Sequence, residues 1–395
     1  RAQRAQTKPL PAMPQMTLNM IAALAAVLLP QQARCDLGAA VRRAGPMPVL
    51  PTAHPLSGMS GPLVLQLEKA AARPSASGHV ARGSFYLARI SIGHPAQELR
   101  VMFDTSSGHV LLPHRACRSA ACQQHRRYSP WESSTAMDVD VTGHEVQKGN
   151  RLARGNVTRD AATVGFTQAD LGEGDAKGVL VRDTLCVGEG ACVDMALLAA
   201  INMDDKLFLA MPGDGIVGLG FSSLAITPLC SFFGRLIEGL HDHALPQFGI
   251  SLGAESGELY LGGHDASRLA APIQWFPVDH PEDGYWQVAI QAVRVGNKTL
   301  DNCAKGCHAI VDSGASRLGV QTTHLPTLRT ALTSMPTPAG ECQGPELSFD
   351  LGGMVITLQP EDYSGEDCAP MLGPLELEDD RFQGVYTFGE TVLMR

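Results

Sequence analysis

Two short segments with the same pattern contain residues that could carry out acid–base chemistry. One contains Asp104 and the other Asp312. In each, an apolar run typical of a strand leads into an Asp, a hydroxyl residue and small residues that favour a tight turn. A lone carboxylate at a buried strand end is unfavourable, but two facing carboxylates can share a proton and so provide one acid and one base at one site. The segments read Val101-Met102-Phe103-Asp104-Thr105-Ser106-Ser107-Gly108 and Ala309-Ile310-Val311-Asp312-Ser313-Gly314-Ala315-Ser316.

The elements around the two aspartates also occur twice. An apolar-apolar-Gly element follows each Asp, from Asp214 to Gly220 and from Tyr386 to Glu390. Such an element can pass close beneath the Asp loop, because glycine permits near approach of the backbone. The pattern predicts a duplicated all-β architecture with a cleft between two lobes, where ligand sites tend to lie. The strand-like runs on which this prediction rests include residues 85–92, 98–103, 273–278 and 285–290.

The composition is typical of a secreted enzyme with many strands and turns. The chain has 395 residues, enough for two lobes, of which 44% are hydrophobic, with 41 Gly and 26 Pro. Ten cysteines at close spacings favour an oxidising compartment. No basic stripe or aromatic-basic interleaving is present, so we expect no nucleic-acid partner.

The first 34 residues are predicted to be a leader. Residues 20–29 form an apolar run about half as long as a bilayer crossing needs. Polar residues follow it, which favours a secretory signal peptide cleaved near residues 33–36 over a stable membrane span.

Residues 35–82 are predicted to form a pro-segment that inhibits the enzyme. Residues 1–74 carry eight Lys or Arg and two Asp or Glu, whereas the whole chain has 31 and 40. A basic N-terminal segment is expected to bind an acidic body by charge attraction, and this attraction weakens as carboxylates become protonated. Lys69 is the residue expected to reach toward the two aspartates. The alternative is a disordered linker.

From about Gly83 to Arg395 the chain resembles the pepsin-like aspartic protease family. The segments around Asp104 and Asp312 resemble the two active-site motifs of that family, and the second has a small cysteine loop just upstream. Further segments resemble family landmarks, namely residues 129–135, 257–263 and 285–288. The resemblance implies a bilobal all-β fold with an N-terminal lobe over residues 83–270 and a C-terminal lobe over residues 271–395.

The resemblance also implies roles for the motif residues. Asp104 and Asp312 would form the catalytic dyad, and the Thr105 and Ser313 hydroxyls would tie each loop to the opposite lobe. The substrate would be an extended peptide, paired through its backbone. The mechanism needs no metal and no cofactor, and the protein is expected to be a monomer. Residues supporting the active-site loops are Thr105, Ser106, Ser313 and Gly314.

Cysteine pairs match the disulfides expected of the family. These are Cys117 with Cys122, Cys303 with Cys307, and Cys342 with Cys368. Cys186 and Cys192 flank a short turn, which indicates an additional hairpin disulfide. Metal binding is the competing interpretation of such pairs, but no His or Cys stands beside them at zinc-like spacing. Cys35 and Cys230 are left without assigned partners.

The sequence departs from the family pattern in three places. Ser106 stands where the family has Gly, so its Cβ could crowd the loop or prevent a glycine-type torsion. At the flap, Leu171 precedes Gly172 in the position of a family tyrosine, and Leu111 replaces the tryptophan that is its usual partner. The chain ends at Arg395, where the family continues into further strands, which suggests a truncated sequence.

Two functions from different classes fit these observations. The first is an aspartic endopeptidase, made as a zymogen, active at acid pH, and either secreted or routed to a lysosome or vacuole. The alternative is a catalytically silent protein of the same fold that binds peptides or proteins, a hypothesis favoured by Ser106 and Leu171. Asn156 and Asn297 stand in glycosylation triplets, which a secreted chain permits.

Overall fold

The computed structural model describes residues 61–74, 83–146, 161–168, 172–188, 191–238, 245–300, 303, 306–375 and 382–395. Within these residues the chain forms strands β1 to β22 and helices α1 to α6. No helix among the described residues is long and apolar enough to cross a membrane.

The N-terminal lobe is built on one large sheet of eleven strands. Its core strands are apolar on both faces, as expected for strands buried between layers. The strand order is β10-β11-β1-β2-β3-β9-β4-β8-β7-β5, with β6 paired to β7. The bounds are β1 Leu63–Ala71, β2 Ser84–Ile92, β3 Gln97–Asp104, β4 Val110–Pro113, β5 Met137–Asp138, β6 Ala162–Gln168, β7 Gly172–Val187, β8 Ala191–Met203, β9 Gly215–Gly218, β10 Phe248–Leu252 and β11 Ser256–Leu261.

The C-terminal lobe has three smaller sheets. Their strand orders are β12-β15-β22-β16-β21, β14-β13-β19-β20 and β17-β18. The bounds are β12 Gln287–Ile290, β13 Ala292–Val295, β14 Lys298–Thr299, β15 Cys307–Val311, β16 Leu318–Gln321, β17 Met335–Pro336, β18 Cys342–Gln343, β19 Leu347–Asp350, β20 Val355–Leu358, β21 Leu372–Leu375 and β22 Val385–Phe388.

Short helices connect the strands. Several begin at a residue whose side chain caps the first turn, such as Ser119 before α1 and Asp204 before α2. The α-helices are α1 Ala120–Gln124, α2 Asp205–Phe208, α3 Phe232–Glu238, α4 Leu325–Ala331, α5 Pro360–Tyr363 and α6 Glu390–Leu393.

The same four-strand arrangement occurs in both lobes. In the first, β3 runs parallel to β9, β9 antiparallel to β4, and β4 parallel to β8. In the second, β15, β22, β16 and β21 repeat these three relations in the same order. β3 and β15 are the strands that lead into the two aspartates, so the fold is the duplicated, bilobal all-β architecture that the sequence predicts.

Each lobe has its own core, and Trp286 joins them. This residue of the second lobe is buried among Phe221, Phe233 and Phe248 of the first. Its indole Nε1 donates a hydrogen bond to the Leu219 carbonyl oxygen at 2.9 Å. A buried aromatic side chain whose N–H is hydrogen-bonded fixes both the spacing and the relative orientation of the two lobes.

The segment after the lobe boundary differs from the prediction. The apolar pattern predicts a strand over residues 273–278, but they form no ladder. Pro272 and Pro277 lack the N–H that a ladder needs, and Trp275 is 46% exposed. Strand pairing resumes at Gln287, two residues later than the sequence predicts.

β1 lies within the range predicted as a pro-segment, and it is a central strand of the large sheet. It pairs with β11 on one side and with β2 on the other. Leu63, Leu65 and Leu67 face the core and are buried. This strand is therefore part of the folded body of the N-terminal lobe.

Lys69 does not reach the aspartates, which corrects the expectation from the sequence. Its Nζ donates to Glu390 Oε1 at 2.6 Å. The physical reason is the β1–β2 register, which places Lys69 opposite Tyr86, whose hydroxyl also contacts that carboxylate.

Candidate active site

Asp104 and Asp312 stand at the ends of equivalent strands. Asp104 is the last residue of β3, and Asp312 follows the last residue of β15. The Asp104 carbonyl accepts from Leu219 N at 2.7 Å, and Asp312 N donates to Phe388 O at 3.0 Å. The apolar-Gly elements therefore lie directly against the Asp loops, as predicted.

The close approach in the first lobe depends on Gly218. A Cβ at this position would come within 2.4 Å of the Ser107 carbonyl oxygen. Only glycine leaves room for the backbone of β9 to lie against the first Asp loop.

Thr105 and Ser313 tie the two loops together. Thr105 Oγ1 donates to the Val311 carbonyl oxygen at 2.7 Å and accepts from Ser313 N at 2.9 Å. Ser313 Oγ makes the reciprocal pair, donating to Phe103 O at 2.8 Å and accepting from Thr105 N at 3.2 Å. Four hydrogen bonds thus cross between the lobes beneath the carboxylates, and they fix the positions of both loops.

The carboxyl groups of Asp104 and Asp312 both lie beside Gly314. A Cβ added to Gly314 would lie 2.8 Å from Asp104 Oδ1 and 3.1 Å from Asp312 Oδ1. A side chain at position 314 would therefore collide with Asp104 and crowd Asp312, which explains why this position is glycine. Burial, followed by the charge of Asp104, raises the pKa of Asp312 well above its usual range. The pair can consequently hold one proton between two carboxyl groups.

The two carboxylates have different donors. Gly314 N and Ala315 N donate to Asp312 Oδ1 at 2.8 and 3.1 Å. Asp104 Oδ1 accepts from Ser106 N at 2.8 Å and from Ser106 Oγ at 2.7 Å. The first loop thus uses a hydroxyl that a glycine at position 106 would not supply.

Ser106 fits the loop without backbone strain. The non-glycine residues with positive φ among those described are His280 and Cys368, so Ser106 does not need a glycine-type torsion. The structure therefore gives no sign that Ser106 distorts the first active-site loop.

A cleft opens over the dyad and is lined mostly by apolar side chains. The sequence predicts the two aspartates, Ser106 and Gly314 in this cleft, but it does not predict the walls. The walls come from separate elements, so no local motif marks them, although Phe166 does lie on an alternating strand. The lining residues that the sequence did not reveal are Met102, Phe166, Thr167, Leu207, Met211, Ala315, Gly319, Pro374, Leu375 and Thr387.

The β6–β7 hairpin, the segment predicted to be the flap, contributes Phe166 and Thr167 to the wall of the cleft. Strand pairing runs up to Gln168 opposite Gly172, and Phe166 contacts the rings of His109 and Phe208 edge-on, with centroids 5.7 and 5.5 Å away. Gly172 is the first residue of β7. Leu171 lies outside the described residues, so its assignment to the family's tyrosine position stays a prediction.

Leu111 and His109 follow the first Asp loop. Leu111 is fully buried in the core of the first lobe. His109 is buried beside the Phe166 ring, and burial lowers the pKa of this imidazole against the smaller raising effects of the Leu224 backbone and of Asp104. Nothing in the local sequence pattern signals a buried histidine, so His109 was not predicted.

The structure contains all four disulfides predicted from the sequence, and the described Cys230 is a buried free thiol. Cys35 and Asn156 lie outside the described residues. Asn297 is exposed in the turn between β13 and β14. The disulfides are Cys117–Cys122, Cys186–Cys192, Cys303–Cys307 and Cys342–Cys368.

Comparison with known proteins places these features in a family context. The family model described as eukaryotic aspartyl protease matches residues 85–170 and 167–370. Cathepsin E of Rattus norvegicus is 29% identical over 326 residues, covering 75% of this chain and 75% of its own length. Cathepsin E of Mus musculus is 30% identical over 329 residues, with 75% of each chain covered. Napsin-A of Homo sapiens is 30% identical over 331 residues, covering 76% of this chain and 72% of its own.

Proposed function

This chain belongs to the eukaryotic aspartyl protease family and is an aspartic-type endopeptidase, and on that premise we propose that Asp104 and Asp312 catalyse peptide-bond hydrolysis at acid pH. The observation that carries the proposal is that the carboxyl groups of both aspartates lie against Gly314, each within about 3 Å of the position that a Cβ would occupy there. The Thr105–Ser313 hydrogen bonds support it, because they hold the two loops in fixed register.

In the proposed mechanism the dyad acts on a water molecule and the scissile carbonyl. The ionised carboxylate accepts a proton from the water, which attacks the carbonyl carbon. The protonated carboxyl group donates to the carbonyl oxygen and stabilises the tetrahedral intermediate. The carboxyl group that took the water proton then donates it to the leaving amine, and the other carboxylate takes back the proton that it gave to the carbonyl oxygen as the intermediate collapses. The two carboxyl groups act as a pair that shares one proton, so one member serves as the initial acid and the other as the initial base.

The singly protonated dyad is the active form in this proposal. Activity is lost at low pH when both groups are protonated, and at high pH when both are ionised. An acid optimum follows from the need for one ionised carboxylate alongside one protonated partner, which is the general behaviour of paired carboxyl groups in aspartic proteases.

The substrate is proposed to be a protein segment in extended conformation. The cleft has apolar walls that include Met102, Leu207 and Met211, and these can receive apolar side chains on either side of the cleaved bond. The flap strand β6 contributes Phe166 and Thr167 to the same cleft. The silent binding protein is the weaker alternative, since Ser106 sits in the loop without strain.

We propose that the protein is made as a monomeric zymogen in the secretory pathway. The apolar run at residues 20–29 would direct entry, and the basic residues before position 75 would bind the acidic body. Four disulfides fit an oxidising compartment, and the exposed Asn297 is open to glycosylation. The destination, extracellular or lysosomal/vacuolar, is part of the proposal.

Hydrolysis of denatured haemoglobin between pH 2 and 7 tests the proposal. We expect acid activity that pepstatin blocks and that Asp104→Asn and Asp312→Asn each reduce by at least about a thousandfold. Matched controls are Asp265→Asn and Asp350→Asn, which change partly exposed carboxylates that do not line the cleft. Folded protein that shows no activity at any pH, or activity that survives both dyad substitutions, would contradict the proposal.

A further inference from the structure

Three side chains that could ligate a metal meet on the C-terminal lobe, away from the cleft. Asp279, His280 and His308 each offer one ligand atom, and these atoms all lie within 4.8 Å of one another. Asp279 Oδ2 lies 2.7 Å from His308 Nδ1, and Asp279 Oδ1 lies 3.8 Å from His280 Nε2. One carboxylate therefore faces two imidazoles.

This geometry differs from that of an ordinary Asp–His hydrogen bond. His308 Nδ1 is buried and has no hydrogen-bond partner of acceptable geometry, although a carboxylate oxygen is close. The two imidazole rings stand edge to face, 5.3 Å apart. Ligand atoms around a tetrahedral Zn²⁺ are separated by roughly 3.3–3.6 Å, since each bond is about 2.0–2.2 Å long. The three groups need only small rotations to reach that spacing.

A carboxylate outside the cluster orients one of the imidazoles. Glu282 Oε1 lies 3.4 Å from His280 Nδ1, which leaves Nε2 of that ring to face Asp279. Metal-ligating histidines usually donate their second ring N–H to such an acceptor. Two carboxylates at the cluster also give it the negative charge that attracts a divalent cation.

Two well-fixed elements carry the three groups. His308 lies on β15, opposite Ala289 of β12. Asp279 and His280 begin the loop over residues 279–286 that leads into β12, and Asp279 N donates to Gln287 O at 2.9 Å. The loop is held at its far side by the first lobe, where Phe221 N donates to the Gly284 carbonyl oxygen at 3.0 Å. The ligands are thus positioned before any ion arrives.

We propose that Asp279, His280 and His308 form a Zn²⁺ site. Two imidazoles and a carboxylate are a ligand set that zinc accepts, with solvent in the fourth position. His280 is 51% exposed, so the ion can enter from solvent and keep a water ligand. The site is structural: it joins the loop over residues 279–286 to β15, the strand that ends one residue before Asp312. It does not depend on the proposed dyad.

Zinc binding by the full chain, with disulfides intact and without a polyhistidine tag, tests this proposal. After removal of metals with a chelator, equilibrium dialysis against Zn²⁺ at neutral pH should give one zinc per chain. Thermal unfolding should then shift to a higher midpoint, because an ion that binds only the folded state stabilises it. Co²⁺ in place of Zn²⁺ should give the visible absorption of a low-symmetry site.

Matched variants decide the outcome. His280→Asn and His308→Gln should each abolish stoichiometric binding and the thermal shift. Asn is chosen at 280 because φ there is 47°, a conformation that Asn tolerates. His324→Asn, in the same lobe and without a side-chain capping bond, should bind zinc like the parent protein.

Absence of zinc from the parent, or equal binding by the His280→Asn variant, would overturn the proposal. Since His280 is exposed, its variant should fold, which a metal-free unfolding curve checks.

Discussion

Ser106 gives Asp104 a hydroxyl donor in addition to a backbone N–H. Hydrogen bonds to a charged acceptor are stronger than those to a neutral one, so this donor favours the ionised dyad. It also lowers the pKa of Asp312, against the larger raising effects of burial and of Asp104. The departure from the family pattern thus adds a polar group to the site.

Ser106→Ala should move the alkaline limb of the pH–rate profile to higher pH. The hydroxyl that favours ionisation would be lost, and we expect a shift of up to about one pH unit, equivalent to ~1.4 kcal/mol. Ser106→Gly should give the same shift, since it removes the same hydroxyl. A limb that stays in place in both variants would show that the hydroxyl does not act on the dyad; measurement of kcat against pH decides this.

His109 should make the protein less stable in acid. Its pKa is lowered by burial, so the unfolded chain binds this proton more readily than the folded one. Its contribution to stability is present above the unfolded pKa of about 6.5 and is lost as pH falls below that value.

His109→Asn should therefore flatten the fall in unfolding free energy between about pH 7 and pH 5. Urea unfolding of both proteins across this range measures it, and His144→Asn, an exposed site, is the control. An unchanged slope in the His109→Asn variant would contradict this account.

At the level of elements, the strands that carry the site are more predictable than those around them. The Asp-loop strands and the apolar-Gly strands combine local motifs with apolar runs, so both are evident in the sequence. Residues 273–278 have the same apolar character but form no ladder, and Pro272 and Pro277 lack the N–H that a ladder needs. Pairing depends on the partner as well as on the segment.

The walls of the cleft illustrate the same limit. Phe166, Leu207 and Leu375 come from three distant elements, and only the fold brings them together. The Asp279–His308 cluster is also invisible in the sequence, because its members lie on two elements that only the fold brings together.

Phe166→Ala should weaken substrate binding. Phe166 lines the cleft and supports the flap through His109 and Phe208, so its loss removes apolar contact with the substrate. We expect KM to rise roughly tenfold, or ~1.4 kcal/mol, with a smaller effect on kcat. Thr163→Ala, exposed on the same strand, should leave KM unchanged. Equal KM values for the parent and Phe166→Ala proteins would exclude this role.

Across the whole molecule, Trp286 belongs to the second lobe but is buried in the core of the first. It is 1% exposed and contributes both an aromatic contact and a hydrogen bond to the first lobe. The dyad needs both lobes in register, because the Thr105–Ser313 bonds cross the same boundary. Stability and activity should therefore decline together when this contact is lost.

Trp286→Ala should destabilise the protein by about 3–5 kcal/mol, as expected for a buried aromatic. Trp286→Phe keeps most of the aromatic contact but loses the hydrogen bond to the Leu219 carbonyl oxygen, so it should lower the free energy of unfolding by about 1 kcal/mol. Urea unfolding with peptide hydrolysis measured in parallel tests both variants. Full stability of the Trp286→Ala protein would show that the lobes do not depend on this residue.

β1 has a consequence for what processing would do to the molecule. Its residues Leu63–Glu68 pair with β11, and Glu68–Ala71 pair with β2. If cleavage occurred in residues 75–82, this strand would become a separate peptide held by sheet pairing and side-chain contacts such as Lys69–Glu390 alone. Folding would then change from a unimolecular to a bimolecular event, and stability would depend on protein concentration. A cleaved protein would therefore lose this peptide on dilution and would regain its original sheet only where the peptide is present at sufficient concentration.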